Sequence, residues 1–187
     1  MKKILLAILV FAAVGSAQAQ FSGTITTRPL SPLFKNISLA FETALGDQVS
    51  INVETVYSWG GLGSGGFWSE DFDLFPNAIR ITPEARFYLT QRNSAPIGFH
   101  MGPFLRYNYN FLNSDGSDFS SHLFGIGFNL GYQGVVGGKV AMGTFLGVGV
   151  GYNFGANGTL SSGFEPFYSL DSPWPLLRMG YSVGIAY

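Results

Sequence analysis

Cysteine is absent from all 187 residues. That absence excludes a lipidated N-terminal Cys, a disulfide framework, a thiolate metal site and a thiol nucleophile. Charge is scarce: Asp, Glu, Lys and Arg together make up 11% of the chain, against about 25% in an ordinary soluble domain. With two histidines, His100 and His122, far apart in sequence, no zinc ligand set can be assembled. Beyond the first nineteen residues no apolar run approaches the roughly 18 residues that a membrane-crossing helix needs, so a helical membrane protein is excluded. The net charge of −1 and the lack of basic runs leave no electrostatic footprint for nucleic acid.

Apolar side chains, by contrast, are abundant: 47% of residues are hydrophobic and 16% aromatic, with 26 glycines. Lys2 and Lys3 followed by the apolar stretch Ile4 to Val14 and by Ala17-Gln18-Ala19 read as a cleavable export signal. The expected mature chain is a single domain from 20 to 187, in which removal of Lys2 and Lys3 leaves 8 basic and 11 acidic side chains, a net of −3. An exported, apolar chain without spanning helices points to a closed β-barrel, because only helices and closed barrels satisfy every backbone group in lipid.

Alternation of apolar with polar or small residues recurs in segments of about ten residues, as transmembrane strands require. It predicts strands at 36–44, 49–57, 79–89, 97–109, 122–132, 140–154 and 176–187, the last ending on Tyr187. Single-chain bacterial barrels have an even strand number, and the weaker segment 22–28 supplies the eighth. Short connections at 45–48, 90–96 and 133–138 then share one end, expected to be periplasmic. Long ones at 59–78, 110–121 and 155–175 share the other, expected to be extracellular. Those long loops carry Glu70, Asp71, Asp73, Asp115, Asp118, Glu165 and Asp171 and no Lys or Arg. Aromatics near strand ends, among them Trp59, Tyr107, Tyr152 and Trp174, suit interfacial girdles.

The alternation also assigns an inward set: Glu42, Glu54, Arg80, Glu84, Arg86, His100, Arg106 and Arg178. An eight-stranded barrel is just wide enough for its side chains to fill, and a guanidinium meets a carboxylate with two hydrogen bonds. One reading is therefore a structural salt-bridge core. The other is an arginine-lined lumen serving as a narrow, porin-like pore or small-ligand carrier. On the second half of the chain the inward face, from Gly125 through Gly151, is almost all Gly or Ala. That face offers either room for arginines from the opposite wall or a cavity.

Catalytic signals are poor. Ser120, Ser121 and His122 near Asp118 form the one local Ser/His/Asp grouping, but neighbours on a strand point to opposite faces, and a triad is defined by geometry. A lipid-modifying enzyme is the least favoured class. The stretch Glu70 to Asp73 lacks the spacing and glycine of a calcium loop. Gly60 to Gly66 is glycine-rich without the strand–loop–helix context of a phosphate loop, and reads as a loop tip with Phe67 and Trp68 as contact candidates. Trp59, Asp71, Asp73 and Trp174 complete that contact set.

Ile25-Thr26-Thr27-Arg28-Pro29-Leu30, the segments Asn36 to Glu42, Ala44 to Ser50 and Gly102 to Tyr107, and above all Ile81-Thr82-Pro83-Glu84-Ala85-Arg86-Phe87-Tyr88-Leu89 resemble the small outer-membrane β-barrels of unknown function widespread in Bacteroidota. The resemblance spans about residues 24–110. It implies an eight-stranded barrel and brings no activity, cofactor or catalytic residue.

The reading as a whole is an all-β, eight-stranded, antiparallel, up-and-down transmembrane barrel in the outer membrane. Its expected role is non-enzymatic, structural or surface-interacting, without cofactor or metal. Its expected partners are outer-membrane lipids, the barrel-insertion machinery, and an unidentified extracellular or periplasmic protein.

Overall fold

A computed structural model of the chain describes residues 22–59, 77–89, 95–114, 117–157 and 173–187. The segment expected to be a leader and the loop candidates Phe67, Trp68, Asp71 and Asp73 lie outside the described residues. Eight strands form one closed antiparallel barrel in sequence order: β1 (Gly23–Thr27), β2 (Asn36–Ala44), β3 (Val49–Trp59), β4 (Asn77–Tyr88), β5 (Gly98–Ser114), β6 (Ser117–Val136), β7 (Val140–Asn157) and β8 (Trp174–Ala186). One turn of 3-10 helix, Ser31–Phe34, follows β1. No helix among the described residues is long and apolar enough to cross a membrane.

Closure joins β1 to β8 through four residue pairs, from Thr24 opposite Ala186 to Thr27 opposite Val183. The stagger can be followed around the wall. Thr24 lies opposite Glu42, then Asn52, Glu84, Phe104, Gly127, Gly149 and Leu176 in turn. Leu176 is ten residues before Ala186, the partner of Thr24, so its level on β1 extrapolates to position 34, ten beyond Thr24. A stagger of ten over eight strands tilts them by about 40° at ordinary strand spacings.

The strands run further than the sequence pattern suggested, most of all at the loop end of β5 and β6. Residues 110–114 and 117–121, expected to lie in a loop, instead continue the ladder from Asn110 opposite Ser121 to Ser114 opposite Ser117. Polar residues hid these strand ends. Apolar alternation reports a half-buried surface, whereas the antiparallel ladder needs only backbone groups. At the opposite end, Lys139 N–H bonds the Val136 carbonyl around Gly137 and Gly138, whose φ values are 61° and 70°. Two successive left-handed residues make the hairpin turn whose twist matches its strands. Gly138→Val should therefore destabilise the barrel by about 1–2 kcal/mol, read as a lower urea midpoint in detergent micelles. The same substitution at Gly46, on an ordinary backbone in open space, should cost less.

Candidate functional site: a charged column in the lumen

All eight side chains assigned inward by alternation are buried in the barrel: Glu42, Glu54, Arg80, Glu84, Arg86, His100, Arg106 and Arg178. The register decides which of them meet. Glu42 on β2 accepts from Arg86 on β4 at 2.8 Å. Arg86 Nε reaches Glu84 at 3.0 Å. The other oxygen of Glu84 accepts from Arg178 on β8 at 2.6 Å. Arg178 then donates to Glu54 on β3 at 3.0 Å, and the same Glu54 oxygen accepts from Arg28. Acid and base alternate through six residues drawn from five strand regions, and their charges sum to zero.

Burial of a charge costs several kcal/mol unless it is paired and hydrogen-bonded, and neutral partners complete the pairing. Glu42 also accepts from Ser50, from the Tyr88 hydroxyl at 2.7 Å and from Gln133 at 2.9 Å. Glu84 accepts from Asn129 on β6 at 2.8 Å. Arg80 donates through Nε to Asn108 at 2.8 Å. His100 packs against Tyr88, ring centroids 5.3 Å apart.

A second column interleaves with the first. Arg178 lies 4.7 Å from the Phe145 ring centroid and 5.5 Å from that of Phe104. Arg28 stands 5.0 Å from Phe145, and Arg106 stands 5.8 Å from Phe104. Guanidiniums alternating with rings fill the width of the lumen and add cation–π attraction away from water.

The glycine wall has a different occupant from the arginines expected there. A Cβ at Gly127 would strike Phe104, at Gly131 His100, at Gly125 Leu176, and at Gly151 Leu123 and Leu176. Small residues on β6 and β7 thus receive rings and leucines, and the arginines stack on those rings.

Three partners escaped the sequence reading. Tyr88 has the same parity as Arg86, so its inward direction was visible but its bond to Glu42 was not. Gln133 was assigned to a turn because the end of β6 was set too early. Arg28, beside Pro29, was left out although it shares parity with Thr24 and Thr26. At the rim, Trp59 is half-buried and stacks on Tyr57 at 6.0 Å, while Trp174 opens β8 with a side chain outside the described set. Ser121, at a β-bulge, turns inward and bonds Asn110. His122 lies on the outer wall, where Nδ1 and the Tyr107 hydroxyl hydrogen-bond at 2.8 Å and the ring meets Tyr109 and Phe154. The two side chains are therefore on opposite faces. Among the described residues no three His, Asp, Glu or Cys side chains gather in a way that could hold a metal.

A family profile described as "Protein of unknown function (DUF3575)" matches residues 4–158. That span carries the whole column except Arg178. No curated protein matches the chain, and no solved structure does.

The column makes a measurable demand. Glu84→Gln removes one of the two carboxylates that each of Arg86 and Arg178 meets and should destabilise by about 3–5 kcal/mol. Adding Arg178→Leu should recover part of that loss. Urea unfolding of the single and double variants in detergent micelles checks both.

Proposed function

We propose, for a chain that belongs to this family of unknown function, that the barrel is an integral protein of a bacterial outer membrane. Its lumen is closed and non-conducting. Its role is non-enzymatic, structural or surface-interacting at the loop end, with outer-membrane lipids as its surroundings.

The observation that carries this reading is inverted polarity. Among the described strand side chains every Asp, Glu, Lys and Arg is buried inside, and the exposed charges Lys35, Asp47 and Lys139 fall in connections. The outer wall is a belt of exposed apolar residues, including Ile126, Phe128, Leu130, Leu146, Val148 and Val150. On β7 the outward series from Val140 to Val150 covers eleven residues and is apolar except at Thr144. At about 3.4 Å per residue and a tilt near 40° it rises about 26 Å, close to the roughly 25 Å band of transmembrane barrels. Water could not solvate such a wall without aggregation, since exposed apolar patches on soluble proteins seldom exceed a few hundred Å². Tyr107, Tyr109, His122, Tyr152 and Phe154 cluster at its loop-end margin, where an interfacial girdle belongs.

The column supports the closed lumen. Arg178 is 1% exposed and Glu84 2%, and the interleaved rings leave the charges engaged with one another. The pore reading would require those pairs to part. Purified barrel in a planar bilayer should be electrically silent, and Glu84→Gln should introduce intermittent leaks. Steady conductance by the native barrel, changed by Arg106→Ala, would overturn the closed-lumen reading. On the outer wall, Val148→Arg should cost about 2–4 kcal/mol in lipid vesicles, and no loss there would count against membrane residence.

A further inference from the structure

Two prolines, Pro83 and Pro103, interrupt one seam of the barrel. The ladder between β4 and β5 runs from Asn77 opposite Phe111 to Ile81 opposite Tyr107. It holds again at Glu84 opposite Phe104, and resumes at Phe87 opposite Met101 and Tyr88 opposite His100. Thr82, Pro83, Ala85 and Arg86 have no ladder partner on β5. The ladders on either side are unbroken: β3 pairs β4 from Val49 opposite Phe87 to Trp59 opposite Asn77, and β5 pairs β6 from Gly98 opposite Gln133 to Ser114 opposite Ser117.

The direction of the backbone groups accounts for all four losses. Just below this ladder Leu89 N–H bonds the Phe99 carbonyl. Hydrogen-bonded pairs alternate along an antiparallel ladder, so on this seam the odd-numbered residues are the ones that exchange bonds with their opposites. The register then sets Ala85 against Pro103 and Pro83 against Leu105. Proline has no N–H. Each of these pairs keeps the bond donated by Ala85 or Leu105, and those two bonds frame the surviving pair of Glu84 with Phe104. Each loses the bond that proline would donate, which leaves the Ala85 and Leu105 carbonyls without their strand donors. The Ala85 oxygen lies instead against Gly102, where any Cβ would strike it, and a Cα–H is a much weaker donor than an amide. Proline is ordinarily confined to edges and bulges for this reason. Here two of them weaken the same stretch of one seam.

The interior behind that stretch is the centre of the column. Thr82, Glu84 and Arg86 on β4 and Phe104 on β5 are all buried there. Glu84 is held to Asn129 on β6 and Arg178 on β8, and Arg86 to Glu42 on β2. Those ties brace β4 from inside at the height where its outer ladder is weakest.

We propose that the β4–β5 seam is an opening built into the wall. Between Ile81 and Phe87 the two strands part while the ladder above and below them holds, and the parting exposes Thr82 and Glu84 to the surroundings. The closed, filled lumen is the resting state, and the seam gives the buried column its lateral access. This inference stands on the register and the two prolines, and not on the membrane assignment.

The test uses the purified full-length barrel in detergent micelles and amide hydrogen exchange read residue by residue, which reports local opening. The amides of Ala85 and Leu105 should exchange at least tenfold faster than those of Phe87 and Tyr107 on the same seam. Pro83→Ala with Pro103→Ala returns both missing N–H groups and should slow Ala85 and Leu105 at least tenfold. A second readout follows the lumen side. The chain has no cysteine, and Thr82 is fully buried behind the seam. The Thr82→Cys variant should react with N-ethylmaleimide under native conditions, and the two alanines should slow that reaction at least tenfold. Equal protection of all four amides in the native barrel would show that the seam stays shut. A Thr82→Cys thiol that reacts no faster without the alanines than with them would show that parting does not reach the lumen. Either result overturns the proposal.

Discussion

One carboxylate holds the interior together. Glu84, on β4, accepts from Arg86 on its own strand, from Asn129 on β6 and from Arg178 on β8. It therefore ties opposite walls of the barrel across the lumen. The column above and below it is neutral only because Glu42 and Glu54 complete the alternation. An eight-stranded barrel is just wide enough for its side chains to fill, so buried charges there need carboxylate, amide or ring partners. Protein and lumen width are thus linked: the ladder closes the wall, the wall excludes water, and exclusion makes pairing obligatory.

The rings extend the same logic. Phe104 and Phe145 give the guanidiniums of Arg106, Arg178 and Arg28 an apolar face to lie on. The Phe104 ring needs space, which glycines on β6 and β7 provide at Gly127 and Gly147. The glycine content of the second half is in this view a packing requirement set by the bulky first half, and a side chain at Gly127 would displace the ring on which an arginine rests.

Much of this was legible in the sequence. The period-two pattern gives seven strands, the even strand number of such barrels adds the eighth, and parity alone assigns every inward charge but Arg28, since a one-residue shift would have put Arg80, Glu84 and Arg86 outside. Pair identities were not legible, because they depend on the stagger of ten, which emerges only when all eight registers are joined. Glu42 and Arg86 are 44 residues apart, and nothing local relates them. Strand ends failed for another reason: Asn110 to Ser121 is polar, yet its ladder continues.

The central proposal is that the apolar wall faces hydrocarbon, while the charged side chains of the described strands are confined to the lumen. Because the chain has no cysteine, a single nitroxide can be placed at Ile126, Leu146 or Val148 in turn, and its relaxation by oxygen compared with that by a water-soluble nickel chelate in lipid vesicles. The account predicts strong relaxation by oxygen and almost none by nickel at all three sites. Strong relaxation by nickel at these positions would show that the outer wall meets water, and would contradict it.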